Sequence, residues 1–126
     1  MIHVTAAIIR KNGKILICRR GEGGNCEHLW EFPGGKVEAG ETPYQCIVRE
    51  IREELSLMIK PLHVVDEYVF SYPNMEIKFT FVEAEIVSAE AKPLVHEEIC
   101  WVDTEELLNY EWCPADVRVM KILADG

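Results

Sequence analysis

GGKVEAGETPYQCIVREIREELSL, residues 34–57, is the stretch on which the reading of this chain turns. Its second half is written as a helix. Thr42 is placed to cap it, Pro43 takes the first helical position, and Gln45 stands three beyond Thr42 as a capping box requires. Tyr44, Ile47, Val48, Ile51 and Leu55 then recur at helical spacing and predict an apolar stripe that faces a core. Glu50, Glu53 and Glu54 fall at i, i+3 and i+4 beside that stripe, so three carboxylates crowd one flank. Like charges one turn apart repel by a few tenths of a kcal/mol per pair, roughly, and a bound divalent cation is the natural resolution. Taken alone, the same residues would also suit a solvated acidic face supported by Arg49 and Arg52.

The residues upstream favour the metal. Phe32-Pro33-Gly34-Gly35-Lys36 predicts a tight, backbone-exposing turn in which glycines allow close approach to a ligand and Lys36 adds a positive charge. Gly35, five residues, Glu41, seven residues, then Arg49-Glu50-Ile51-Arg52-Glu53-Glu54-Leu55-Ser56-Leu57 is a spacing that resembles the Nudix box of the Nudix hydrolases. One position departs from it: the family has glycine where this chain has Ser56. A serine held there in a left-handed conformation costs on the order of 1 kcal/mol. The resemblance implies an α/β fold, specifically an α/β/α sandwich with a central mixed β-sheet.

Composition sets the outer bounds. The chain has 126 residues, 48% hydrophobic and 28% charged, which fits one domain over residues 1–126 with one core. No run approaches the roughly 18 apolar residues of a membrane span, and the N-terminal residues lack the plan of a secretory signal, so the expected location is cytoplasmic. A net charge of −9 disfavours binding to a nucleic-acid polymer, although a small polyanion bridged through a metal stays compatible with it. Cys18, Cys26, Cys46, Cys100 and Cys113 are odd in number and never spaced C-x-x-C, which argues for reduced, mostly core thiols.

Along the chain, residues 2–10 and 14–20 predict two strands joined at Asn12-Gly13, and the glycine-rich residues 21–28 a connection without a phosphate-loop signature. Short strands are expected at 29–32 and 36–38, flanking the glycine turn. After the helix, Pro61 resets the chain, and 62–71 with 76–87 form a second hairpin. Residues 88–98 read as a loop and 99–102 as a strand; Asp103 with Glu106 caps a short helix, and Pro114 begins a last helix with Val117, Met120, Leu123 and Ala124 on one side.

The likeness extends to the MutT-type nucleoside triphosphate pyrophosphohydrolases, carried by Cys18-Arg19-Arg20, residues 30–36 and Pro114-Ala115-Asp116. It implies hydrolysis of a nucleoside triphosphate to the monophosphate and pyrophosphate by attack of water at the β-phosphorus. On that resemblance Glu50, Glu53 and Glu54 ligate Mg²⁺, or Mn²⁺, with the carbonyl of Gly34, while Arg49 and Glu41 orient the carboxylates. Glu50 is the first choice as general base, and Glu97 or Glu98 is the alternative. Arg20 and Lys36 contact phosphates, and Ile2, Val4, Ala6 and Phe32 line a base pocket. An ionised Asp116 would only accept hydrogen bonds, which suits a cytosine amine or a purine N–H, so 8-oxo-dGTP and CTP-like substrates both stay open. Two rivals remain: a Nudix activity on ADP-ribose or a dinucleotide, and a nucleotide-binding module without catalysis. Monomer and homodimer are equally compatible with the sequence.

Overall fold

In the computed structural model, which describes residues 1–88 and 90–126, a mixed sheet of seven strands carries a helix on each face. Strands β1 (Ile2–Lys11) and β2 (Lys14–Arg19) form the first hairpin. Asn12 and Gly13 both have positive φ, as the tight two-residue turn between twisted strands demands. Helix α1 (Pro43–Leu55) follows two short strands, β3 (Trp30–Glu31) and β4 (Gly34–Lys36), and precedes a long hairpin of β5 (Met58–Tyr72) and β6 (Met75–Ser88). β7 (Glu98–Val102), a 3-10 segment (Thr104–Asn109), a second one (Pro114–Asp116) and helix α2 (Val117–Asp125) complete the chain. The path through the sheet runs β3-β2-β1-β6-β5, with β1 and β6 parallel, β4 added to β1 and β7 added to β2.

Strand periodicity distributes the core between the two faces. Ala7 and Ile9 of β1 with Leu16 and Cys18 of β2 pack against Ile47, Ile51 and Leu55 of α1. Ala6, Ile8, Ile15 and Ile17, one residue out of phase, pack against Val119, Met120 and Leu123 of α2. This is the expected three-layer sandwich.

β1 and β2 part soon after their turn. They pair at Arg10 with Ile15 and Lys11 with Lys14, after which β1 takes β4 as its neighbour and β2 takes β3. Phe32 and Pro33 bridge the resulting gap, and the Ala7 amide donates to the Pro33 carbonyl across 2.7 Å. The glycines are therefore strand rather than turn, with Gly34 opposite Ala6 and Gly35 opposite Thr5. A Cβ on Gly34 would stand 2.0 Å from the Thr5 carbonyl oxygen, so this close approach admits only glycine.

Other elements differ from expectation for local reasons. β5 begins at Met58 and runs through Pro61, because it is a terminal strand of the sheet path with register shifts at Pro61/His63 and Val64/Asp66, where a missing N–H is tolerated. Tyr44 is exposed, and Cys46 holds the buried position in the first turns of α1, its sulfur 3.2 Å from Thr5 Oγ1 and 3.3 Å from the Lys36 carbonyl. Asp103 and Glu106 do form a capping box, but on a 3-10 segment, and Pro114 opens a 3-10 turn ahead of α2. Ser56 ends α1 in the left-handed conformation, φ 55° and ψ 36°, with its amide on the Arg52 carbonyl. Serine thus does the work that glycine does more cheaply. The expected 88–98 loop includes residue 89, which lies outside the described residues.

Candidate active site

Arg49 organises the acidic flank of α1. Its Nε donates to Glu41 Oε2 at 2.6 Å, its Nη2 to Glu41 Oε1 and to the Lys36 carbonyl at 3.1 Å each, and its Nη1 to Glu50 at 2.8 Å and Glu53 at 3.2 Å. One guanidinium thus ties the helix to β4 and draws three carboxylates to fixed places. The hydrogen bonds from Arg49, with one from the Glu38 amide, hold the Glu41 carboxyl down to about 2, and the same carboxylates raise Arg49 further above its already high value.

Glu54 is not among the carboxylates that Arg49 binds, and it lines a cleft instead. Burial, with Glu50 and Glu31 adding like charge, lifts its pKa from 4.5 to about 8. Its Oε1 is buried with no hydrogen-bond partner. Glu50 lies against Gly35, where a Cβ would stand 2.3 Å from its carboxyl carbon, so the glycine makes room for that carboxylate. A buried orphan oxygen, a carboxylate cradled by a glycine and an all-oxygen donor set fit a hard divalent cation. Glu50, Glu53 and Glu54, with the Gly34 carbonyl, are the groups that could hold it. Their side chains are not drawn tightly together: among the described residues, the groups whose ligand atoms all lie within 4.8 Å are Glu22/Glu27/His28 and Glu31/Cys113/Asp116.

Beside these carboxylates opens a cleft of about 370 Å³ where β1 and β2 diverge. Val4, Ala6, Phe32, Arg20, Lys36, Glu54 and Asp116 all line it, so the expected phosphate-contacting and base-contacting groups share one lining. Ile2 lies outside, beside Met75 and Glu76. Phe32 serves the core as well: it is 2% exposed and packs on Trp112 at a centroid distance of 4.8 Å. Asp116 is 6% exposed, and its pKa is raised well above the ordinary aspartate value by burial and by Glu31, against the pull of a hydrogen bond from the Phe32 amide and of Arg20. Burial thus works against the ionised, acceptor-only form expected from the sequence.

The late loop is arranged differently from its sequence reading. Glu97 is tied to Arg19 Nε at 2.9 Å and His28 Nδ1 at 2.8 Å, and Glu98 lies 3.7 Å from Arg19. Neither lines a hollow with Glu54. Their neighbour His96 does, together with Arg20 and Glu31. His96 Nε2 meets Glu31 Oε2 at 2.9 Å, Arg20 Nη1 meets Glu31 Oε1 at 3.1 Å, and His96 Nδ1 is buried without a partner. Sequence reading gave no role to Glu31, His96, Cys26 or Cys113. Only the alternation of β3, which turns Glu31 away from the Trp30 side, could have hinted at the first.

Residues 1–122 match the NUDIX domain model, and the chain belongs to the Nudix hydrolases. Divalent-metal dependence and small nucleotide substrates are general in that family. Among its relatives, the chain is 36% identical to the CTP pyrophosphohydrolase of Escherichia coli K12, over 96% of this chain and 90% of that protein. It is 34% identical to the 8-oxo-dGTP diphosphatase of Haemophilus influenzae, over 95% and 89%. The crystal structure of a MutT protein from Methanosarcina mazei superposes with a TM-score of 0.84 at 28% identity, covering 98% of this chain and 92% of that one. Among the described residues, no helix is long and apolar enough to cross a membrane.

Proposed function

We propose that the protein hydrolyses nucleoside triphosphates to the monophosphate and pyrophosphate with Mg²⁺, acting on the cytoplasmic nucleotide pool. The observation that carries this reading is the cleft whose lining includes Glu54, Arg20, Lys36 and Asp116 together. Mg²⁺, or Mn²⁺ with the same oxygen donors, supplies charge neutralisation on the phosphates and acidifies water. Glu50, Glu53 and Glu54 would hold it with the Gly34 carbonyl. Glu50, which lies against Gly35 of the cleft lining, accepts the proton of the attacking water, and it is a stronger candidate than Glu97, which lines neither the cleft nor the hollow beside Glu54. Arg49 and Glu41 position the carboxylates. Arg20 and Lys36 contact the phosphates, and Val4, Ala6 and Phe32 flank the base.

Asp116 reads the base edge, and asparagine in its place would offer a fixed donor and acceptor where the carboxyl titrates. Two relatives are named for CTP and for 8-oxo-dGTP, and both of those bases present an edge of mixed donors and acceptors, so either stays a candidate substrate. The test is a panel of NTPs, dNTPs, 8-oxo-dGTP and 5-methyl-dCTP with Mg²⁺, scored for monophosphate and pyrophosphate. Comparable rates on ADP-ribose would displace this reading, and nucleotide binding without turnover would replace it by a binding role. Asp116→Asn should change the ranking of bases toward 8-oxoguanine; an unchanged ranking counts against base reading by this residue.

A further inference from the structure

His96 sits on the loop between β6 and β7, at a place fixed from two sides. The Lys92 amide donates to the Leu55 carbonyl at 2.8 Å and the Leu94 amide to the Glu54 carbonyl at 3.1 Å, which ties the loop to the end of α1. One residue past His96, the Glu97 amide donates to the Arg19 carbonyl at 3.0 Å and ties the loop to β2. The imidazole held between these anchors is 4% exposed. Its Nε2 lies 2.9 Å from Glu31 Oε2. The Glu31 carboxylate, paired with Arg20, only accepts, so Nε2 carries the proton and Nδ1 is left as a buried acceptor without a partner. An apolar side chain would fill this place without that unmet acceptor, so packing alone does not account for the ring. What the histidine adds is the bond to Glu31.

Glu31 passes that bond on. Its Oε1 accepts from Arg20 Nη1 at 3.1 Å, and Arg20 Nε donates to the Asn25 carbonyl at 3.0 Å, while Nη2 has no partner among the described residues. Without His96, the carboxylate of Glu31 would keep Arg20 as its one hydrogen-bond partner among the described residues, and the Arg20 side chain is 42% exposed and free to follow it. We propose that His96 is a positioning residue for the hydrolysis: it holds Glu31 by one carboxylate oxygen so that the other oxygen fixes the Arg20 guanidinium in the wall of the nucleotide cleft. Arg20 and Glu31 line both the cleft and the hollow beside Glu54, whereas His96 lines the hollow alone, so the histidine acts through Glu31 rather than on the substrate. The phosphate contact of Arg20 comes from the hydrolytic reading above; the link from His96 to Arg20 does not depend on it.

Two amides of different reach test it. His96→Gln puts an N–H donor near the place of Nε2, whereas the shorter amide of His96→Asn falls short of Glu31. The first readout needs no substrate: exchange with water of the Arg20 Nε proton, followed by NMR and assigned by its absence in Arg20→Lys. His96→Asn should speed that exchange about 5–10-fold, the scale of one lost hydrogen bond, and His96→Gln should restore most of the protection. Equal exchange in the wild type and His96→Asn overturns the proposal, and so does equal acceleration in both variants, the mark of a residue needed only for packing. His96→Leu, which brings neither a donor nor an unmet acceptor, carries the same expectation if the asparagine variant does not fold. In turnover assays His96→Asn should raise KM for the nucleotide about 5–10-fold with kcat little changed, and in a Glu31→Ala background it should add nothing further. A second rise of the same size in that background overturns the route through Glu31. Faster Arg20 exchange with an unchanged KM leaves the link standing and removes Arg20 from the groups that contact phosphate.

Discussion

Replacing Glu54 by glutamine should stabilise the metal-free protein at alkaline pH while it abolishes turnover. The Glu54 pKa is raised from 4.5 to about 8 by burial and by its acidic neighbours Glu50 and Glu31. A carboxyl that holds its proton more tightly folded than unfolded leaves stability intact at low pH, and stability is lost as pH rises toward and through the folded value. Each pKa unit is worth ~1.36 kcal/mol, so ionised Glu54 costs the metal-free fold at most about 5 kcal/mol, and about 2–4 kcal/mol once the site relaxes. Glutamine is neutral throughout and removes that dependence. The assay is urea denaturation of both proteins with a chelator present, near pH ~5 and pH ~9, compared as a difference so that the other titrating groups cancel. The wild type should lose stability relative to Glu54→Gln between the two conditions. Saturating Mg²⁺ should then reverse the order, because a ligand that binds only the folded wild type stabilises it by mass action. Parallel stability curves without metal would refute the account of Glu54 as a buried carboxyl held at an energetic disadvantage.

Three further outcomes are expected. Glu53→Gln should fold with the wild-type melting temperature, since Glu53 is about half exposed, yet lose turnover; wild-type rates would remove it from the metal-holding set. Gly35→Ala places a methyl 2.3 Å from the Glu50 carboxyl carbon, the far end of a flexible side chain, so stability should change by under ~1 kcal/mol while kcat falls about 10–100-fold through displacement of Glu50; an unchanged kcat would show that the position of Glu50 is not critical. Ser56→Gly relieves a left-handed residue at the end of α1 and should raise stability by about 0.5–1 kcal/mol, read in thermal denaturation; a loss would mean that the serine is held there by something other than backbone geometry.

Helix α1 was legible because each of its signals is local: the Thr42/Gln45 capping box, Pro43, and the buried Ile47, Ile51 and Leu55 all depend on neighbours within a few residues. The alternation of β1 and β2 was legible for the same reason, and it delivered the two core faces. What escaped was non-local. Cys46 is buried because Thr5 and β4 lie over it, and β4 is a strand only because β1 offers it an edge. Glu31, His96 and Cys113 come from three separate parts of the chain, and no spacing rule joins them. Asp116 lines the cleft, and the burial that raises its pKa is a property that composition does not reveal. Glu97 stood in the sequence as the alternative to Glu50, and only the folded chain shows it held by Arg19 and His28 outside the lining of the cleft.

The parting of β1 and β2 has a consequence for how such a molecule changes over time. The layer built on α2 holds Phe32 and Trp112, beside the proposed base pocket, while helix α1 of the other layer carries Glu50, Glu53 and Glu54, and the short link of Phe32 to Gly35 joins them. Mutations that reshape one layer need not disturb packing in the other. Preference for a new nucleobase is then open to drift and selection while the cutting apparatus stays fixed, as though a single handle accepted interchangeable blades.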